Sequence, residues 1–495
     1  MQIKQTIGQF TAARSATSIK LFATVFFVLL ANYLFFQSPI GSTIGLFCIL
    51  LLAAIWYFQP LKHGVSRRRL AAIGALLAAA SMIEAAHWMQ FAVFTVLTTI
   101  LALLPKLPRT IEAPKLLMAV LGYFLKFWLR IGTDLSRISK IKAHAPTKFS
   151  GARVLGTIFL PIITCAIFAY LFYLANPIIS DFLNKLDLTR VFEFFSIQRL
   201  LFSAFVMLGT WALIRPHINN KIPIVKASVI SSDKPFYDFL FNQNAVLLSL
   251  ALLNCIFAFQ NTLDVYFLWS GAELPKGVSH AQYAHRGAYP LILTALLAAA
   301  FVLFALKNKE NNTRNAQIHT LIYIWICQNI FLVASSILRT IEYIKVYSLT
   351  EMRIAAIIWM GLVAIGLGLI IVKILLRKSK AWLVNANSFS LAAVILVSCF
   401  VNFGSIISWA NVQNCRQLGG NGNELDITYL ASLGPSSLPA LIWAKAHAHD
   451  NEVFANALGQ TITILDAELR LNVGDWRSIT FRQYRLSNEV GHLSQ

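Results

Sequence analysis

The chain of 495 residues is 57% hydrophobic and only 13% charged, and its mean hydropathy is +0.65. These values exclude a soluble globular protein and indicate a polytopic helical membrane protein, because several apolar runs are long enough to cross a bilayer. The net charge of +21 would suggest a nucleic-acid partner in a soluble protein. In a membrane protein it is expected in the cytoplasmic loops, so we predict no nucleic-acid partner.

The sequence predicts eleven membrane spans. They fall near residues 20–36, 42–58, 70–84, 90–104, 153–175, 199–214, 240–263, 287–306, 318–338, 354–376 and 387–407. Segment 114–130 is apolar enough to cross but carries Lys115, Lys126 and Arg130 on one stripe. A basic stripe beside an apolar face favours a helix lying in the headgroup layer, although a crossing stays open.

The charge distribution predicts the orientation. With the N-terminus in the cytoplasm and segment 114–130 in the interface, the inside segments carry a net charge of about +23 and the outside segments about −2. The predicted regions are a four-span part (1–110), a basic cytoplasmic part with the interfacial helix (111–152), a seven-span part with outer polar loops (153–407) and a helical extracytoplasmic tail (408–495).

Polar chemistry concentrates in the outer loop 261–290. Asp264 and Glu273 lie near the membrane surface, and Ser279 with Gln282 forms a capping-box pattern for a helix that runs into the eighth span. The first turns of this helix carry the polar and aromatic side chains Gln282, Tyr283, His285, Arg286 and Tyr289.

A second cluster follows the ninth span, where Arg339, Glu342, Tyr343 and Tyr347 have helical neighbour spacing. Ser348 with Glu351 is predicted to cap the tenth span. The predicted topology puts both clusters on one side, so Asp264 or Glu273 could meet Arg339 or Arg286 in a polar pocket. The alternative is that these residues anchor the helices in the interface and fix their packing.

The sequence lacks the patterns of an enzyme or a metalloprotein. It contains no nucleophile with an adjacent base, no metal-ligand spacing, no phosphate loop and no cofactor motif. The six cysteines form no CxxC pair, and Cys415 in the tail is interpreted as a quiet free thiol. We therefore predict no catalytic residues, no metal and no cofactor.

Several segments together resemble a bacterial multi-pass membrane family. They are LANP at 174–177, the run FNQNAV to QNTLD, the loop LWSGAELPKGVSHAQYAHRGAYP, IEYIKVYSLTEMR, and the tail pieces ELDITYLASLGPSSLPAL and DWRSITFRQYRL. The chain resembles domain of unknown function 4173, which is related to 4153, over residues 150–490. The resemblance implies a bacterial inner-membrane protein with no assigned reaction. Gln282 stands where that family commonly has Glu, which argues against acid–base work there.

The predicted function is that of a non-enzymatic membrane component. An outward-facing polar pocket would bind a polar or anionic envelope molecule, or pass a signal from it to a membrane protein partner. The alternative class is a transporter, for which Glu84 and Lys373 are the few charges near the spans. A third class is an enzyme acting on lipid-linked substrates.

Overall fold

A computed structural model describes residues 2–59, 65–108, 111–125, 196–216, 243–270, 297, 316–448 and 451–493. Within these ranges the chain is helical and contains no strand, which confirms the all-α class. The helices are α1 Gln2–Phe35, α2 Thr43–Phe58, α3 Val65–Glu84, α4 Trp88–Leu103, α5 Ala113–Phe124, α6 Ile197–Ile214, α7 Gln243–Asp264, α8 Ala316–Tyr347, α9 Glu351–Leu375, α10 Lys380–Ser398, α11 Phe403–Asn414, α12 Ile427–Ser432, α13 Leu438–His447, α14 Glu452–Gly474 and α15 Phe481–Leu493. A π-helical turn, Val265–Trp269, extends α7.

Seven helical segments of the described chain are long and apolar enough to cross a bilayer, as a polytopic bundle requires. They are Ser18–Phe35, Trp88–Lys106, Ile197–Ile214, Asn244–Trp269, Ala316–Tyr347, Glu351–Leu375 and Lys380–Ser398. The predicted spans at 42–58 and 70–84 correspond to α2, a shorter apolar helix of 16 residues, and to α3, which is not among the seven. The spans predicted at 153–175 and 287–306 lie outside the described residues.

The last predicted span, 387–407, has the wrong bounds. The Ser379 side chain accepts a hydrogen bond from the Trp382 amide and starts α10 earlier, at Lys380. The helix ends at Ser398, and Asn402 caps α11 by accepting from the Ser405 amide. The apolar pattern continues through this break, so hydropathy alone did not reveal the two caps.

The first compact unit comprises residues 1–111 and 116–222, in which α1 packs on α6, and α3 on both α2 and α4. Gly45 of α2 lies so close to α3 that an added Cβ would be 2.6 Å from the Ala79 carbonyl oxygen. The Asn32 amide donates to Ser203 Oγ at 2.8 Å, and the Tyr123 hydroxyl donates to the Ala212 carbonyl at 2.6 Å. Small residues and interhelical hydrogen bonds of this kind hold membrane helices together.

The amphipathic segment predicted at 114–130 is described only as far as residue 125. Helix α5 has 12 residues and buries Ala119, Val120 and Tyr123, whereas Met118 on the opposite face is 70% exposed. Such a helix is amphipathic, as the sequence indicated. The interfacial position stays a prediction, since Lys126 and Arg130 lie outside the described residues.

The second compact unit comprises residues 112–115 and 223–495. Its apolar core joins α7, α8, α9 and α10 around the buried side chains of Leu250, Trp325, Met360 and Leu383. Hydrogen bonds join Asn254 to the Leu321 carbonyl and Asn261 to the Gln328 carbonyl, so residue numbers rise together along α7 and α8. The two helices are therefore parallel, and their C-terminal ends lie at the same end of the bundle.

Helices α11–α15 form a tail with its own core inside this unit. The core includes Leu430, Leu441, Leu458, Leu465 and Leu469, each at most 3% exposed. Helical spacing in this stretch of the sequence predicts one apolar face made of Ile462, Leu465, Leu469 and Leu471. Leu471 is instead 80% exposed. It lies two residues after Leu469, which is about 200° around a 3.6-residue helix, so it points away from the buried face.

Candidate functional site

An ion pair at the C-terminal end of α7 connects the two polar clusters. Arg339 of α8 donates through Nη2 to Asp264 Oδ1, and the side chains are 4% and 0% exposed. The Gln260 amide, one turn earlier on α7, donates to the same carboxylate oxygen at 2.9 Å. Asp264 thus faces α8 in a fixed orientation, and both charges are withdrawn from solvent.

The parallel arrangement of α7 and α8 explains why these two residues meet although they are 75 positions apart. Trp269, at the end of the π-helical turn, donates from its indole to Ser335 Oγ at 3.1 Å and stacks on Phe331. Helix α8 continues for eight residues beyond Arg339, which is about 12 Å at 1.5 Å per residue. The pair therefore lies within about three turns of the end of α8.

The other members of the second cluster make different contacts. Glu342 accepts from Lys345 at 2.7 Å, in an exposed pair. The rings of Tyr343 and Tyr347 stack with centroids 4.6 Å apart, and the Arg353 guanidinium lies 4.7 Å from the Tyr343 ring. Arg353 also donates to the Tyr347 carbonyl at 2.6 Å, so it satisfies the C-terminal end of α8.

The cap predicted from Ser348 and Glu351 is wrong. Helix α9 begins at Glu351 with Thr350 as its N-cap residue, and the Thr350 side chain makes no capping hydrogen bond. Ser348 has a φ of 69°, which ends α8 in the left-handed region instead of starting α9. Its carbonyl accepts from Arg353.

Side chains of the tail form hydrogen bonds with the backbone of α8 and of the α8–α9 loop. The Asn411 side chain accepts from the Leu349 amide at 2.6 Å and donates to the Leu349 carbonyl at 2.9 Å. The Asn414 side chain donates to the Lys345 carbonyl at 2.6 Å, and the Tyr429 hydroxyl accepts from the Glu351 amide at 3.0 Å. The two bonds to the backbone of Leu349 fix the loop against α11, so the tail is joined directly to the end of α8.

The outer-loop residues of the predicted site lie outside the described residues. These are Glu273, Gln282, Tyr283, His285, Arg286 and Tyr289. Of the predicted ligand-binding residues, the structure therefore describes Asp264, Arg339, Glu342, Tyr343 and Tyr347, and it joins the first two. Their ligand-binding role stays a prediction.

A row of side-chain amides lies between α7 and α8 and was not predicted from the sequence. Asn254 donates to the Leu321 carbonyl at 3.2 Å, Gln328 donates to Asn254 at 3.4 Å, and Asn261 donates to the Gln328 carbonyl at 3.2 Å. Asn329 is 1% exposed. The amide oxygens of Asn261, Gln328 and Asn329 accept no hydrogen bond within the described chain. The detectable signal was the seven-residue spacing of Asn254 and Asn261 in an apolar run.

Cys415 is 2% exposed, and its thiol contacts the Val412 carbonyl at 3.2 Å. Burial raises the pKa of this thiol above its ordinary value, which keeps it protonated and unreactive at neutral pH. In the described ranges, no three His, Cys, Asp or Glu side chains are grouped so that they could hold a metal ion.

The apolar helices, the parallel packing of α7 and α8 and the buried charge pair define a multi-pass helical membrane protein. The chain belongs to the family described as Domain of unknown function (DUF4153), whose profile matches residues 16–444. The predicted resemblance to this related pair of families is thereby confirmed, although the match begins earlier and ends before the last tail helices. No curated protein and no solved structure matches the chain.

Proposed function

We propose that this protein is a non-enzymatic component of the bacterial inner membrane, with a site for a polar or anionic envelope ligand at the outward end of α7 and α8. The proposal is based on the Asp264–Arg339 pair, which is buried near the ends of two membrane helices. Ionised side chains are costly in such positions, and those that occur there commonly serve function.

Arg339 is the group that would recognise the ligand. A guanidinium presents five N–H donors in a planar fork that matches carboxylate and phosphate oxygens. Asp264 takes one donor of this fork in the described structure, where Arg339 Nη2 donates to Oδ1. An anionic ligand would compete with Asp264 for the same donors, and the predicted loop residue Arg286 would add a second positive charge.

The tail supplies a route for a signal. Displacing Asp264 from Arg339 would alter how the last turns of α8 are held, and α8 leads directly into the loop that Asn411 binds. Arg353 links the same loop to the end of α8. A ligand that competes with Asp264 binds more tightly when Asp264 and Arg339 are separated than when they are paired. Such a ligand would therefore shift the position of the tail.

A density map of the protein in nanodiscs of its native lipid tests the site. We expect a bound molecule beside Arg339 in the wild-type protein. The control is the double variant Asp264→Asn/Arg339→Gln, which removes both charges together and therefore leaves no lone buried charge. The same density in both proteins, or a closed pair without a bound molecule in the wild type, would contradict the proposal.

A transporter is the second candidate, and the amide row favours it. Asn254, Asn261 and Gln328 continue the polar character of the Asp264–Arg339 pair along the interior of the bundle. Polar side chains that face a bundle interior mark substrate and ion pathways. Labelling of an Asn261→Cys variant by thiol reagents added from either side would support transport, whereas labelling from the outer side alone would count against it.

A further inference from the structure

Exposed aromatic and arginine side chains follow one another after the end of α14 and in the first turns of α15. Trp476, Phe481 and Tyr484 are each more than half exposed. The Arg485 guanidinium lies 5.0 Å from the centre of the Phe481 ring. We call this the aromatic–arginine face, and it comprises Trp476, Phe481, Arg482, Tyr484 and Arg485; the neighbouring Arg477 is paired with Asp475 instead.

This face is joined to the place where a membrane helix ends. The Arg482 guanidinium donates to the Phe400 carbonyl at 3.4 Å, and Phe400 comes two residues after the last residue of α10. Helix α10 is long and apolar enough to cross a bilayer, and its large side chains Phe389 and Val397 are exposed. The aromatic–arginine face thus continues a lipid-facing surface beyond the end of α10.

Its composition matches the boundary between hydrocarbon and water. Tryptophan and tyrosine are enriched at headgroup level because their rings are apolar and carry a polar atom. Arginine can lay its stem along apolar surface while the guanidinium reaches phosphate oxygens. Interfacial helices with aromatic and basic residues bind anionic lipid by both effects.

We propose that the aromatic–arginine face rests in the phospholipid headgroup layer, with its rings at the interface and its arginines on lipid phosphate groups. The tail is then held at two places, by the α8–α9 loop through Asn411 and by the lipid through α15. The lipid contact does not depend on the ligand site proposed above, so either can fail without the other.

Photocrosslinking in the full chain tests this proposal. The photoreactive amino acid p-benzoylphenylalanine replaces Phe481, and the protein is reconstituted in nanodiscs that contain phosphatidylglycerol. The matched control carries the same residue at Val453, near the other end of α14 and 82% exposed. Illumination is followed by mass spectrometry of the covalent products.

We expect phospholipid adducts at position 481 in at least several-fold higher yield than at position 453. We also expect the yield at 481 to fall several-fold when phosphatidylcholine replaces phosphatidylglycerol, because the arginines favour anionic headgroups. Equal lipid yields at the two positions would overturn the proposal, as would crosslinks from position 481 to protein only. An unchanged yield in phosphatidylcholine would overturn the assigned role of the arginines.

Discussion

Arg339 and Asp264 are the residues on which the account of the site depends. Each is buried, and each would leave an uncompensated charge if the other were removed. The Gln260 amide donates a further hydrogen bond to the same carboxylate oxygen. The pair therefore acts as one unit. A single substitution measures the cost of an unpaired buried charge, whereas the double substitution measures the loss of the whole pair.

Arg339→Gln or Asp264→Asn alone should lower the free energy of unfolding by about 3–5 kcal/mol, because a buried charge loses its partner. The double variant should recover much of this loss. Thermal unfolding of the purified full chain measures both. Arg470→Gln is a matched control, since Arg470 is 79% exposed in its pair with Asp466 and should cost less than about 1 kcal/mol. Additive losses in the double variant would contradict the pairing.

Cys415 should react slowly with a maleimide in the folded protein at neutral pH. Its thiol is buried and its pKa is raised, so the reactive thiolate is scarce. The rate is measured in a variant that keeps Cys415 and lacks the other five cysteines, before and after unfolding in denaturant. A fast reaction in the folded chain, equal to that of the unfolded chain, would show that the thiol is accessible.

At the residue level, the sequence indicated the participants but not the pairing. Asp264 and Glu273 were equal candidates to meet Arg339 or Arg286, because position in the sequence does not give the rotation of α7 relative to α8. The amide row was missed for a related reason. Asn254 and Asn261 look like isolated polar residues until Gln328 on the neighbouring helix is placed beside them.

At the level of helices, close packing depends on a few small residues. Gly45→Ala should destabilise the protein, since the new Cβ would be 2.6 Å from the Ala79 carbonyl oxygen and would push α2 from α3. Gly209→Ala in α6 is the matched control, because nothing lies within 4 Å of an added Cβ there. Thermal unfolding of the two variants should separate them clearly. Equal melting temperatures would contradict the close α2–α3 contact.

The contact between α11 and the α8–α9 loop gives a second prediction at this level. Asn411→Ala removes two hydrogen bonds to Leu349 and should expose the loop, at a cost of about 1–3 kcal/mol. Hydrogen exchange of the Leu349 and Glu351 amides should become faster. The control Gln460→Ala changes an exposed amide on α14 and should leave the exchange rates as they were. Unchanged hydrogen exchange in Asn411→Ala would show that the two bonds from Asn411 do not hold the α8–α9 loop.

Helix boundaries were predictable where the hydropathy of the sequence changes. They were not predictable where a single capping residue sets the end of a helix. Most spans were recovered in the described chain because their apolar runs are long and contain few charges. Asn402, however, divides an apolar stretch by capping α11, and Ser348 ends α8 with a left-handed residue. Both effects are local backbone chemistry that an average over some 20 residues conceals.

For the whole molecule, composition alone was enough to establish the class. A chain with this apolar content can satisfy its backbone in lipid only as helices or as a closed barrel, and the described residues are helical. The division into a four-span part, a basic part, a seven-span part and a tail stays a prediction, as does the orientation. The proposed site requires that the end of α8 and the tail face away from the cytoplasm.

A pair of reporters fused after Gln495 tests this requirement most directly. Alkaline phosphatase is active only outside the cytoplasm, and green fluorescent protein exported in unfolded form fluoresces only inside it. We expect phosphatase activity without fluorescence, because the tail is proposed to lie with Asp264 and Arg339 on the outer side. Fluorescence without phosphatase activity would place the buried pair at the cytoplasmic end and contradict the proposed envelope site.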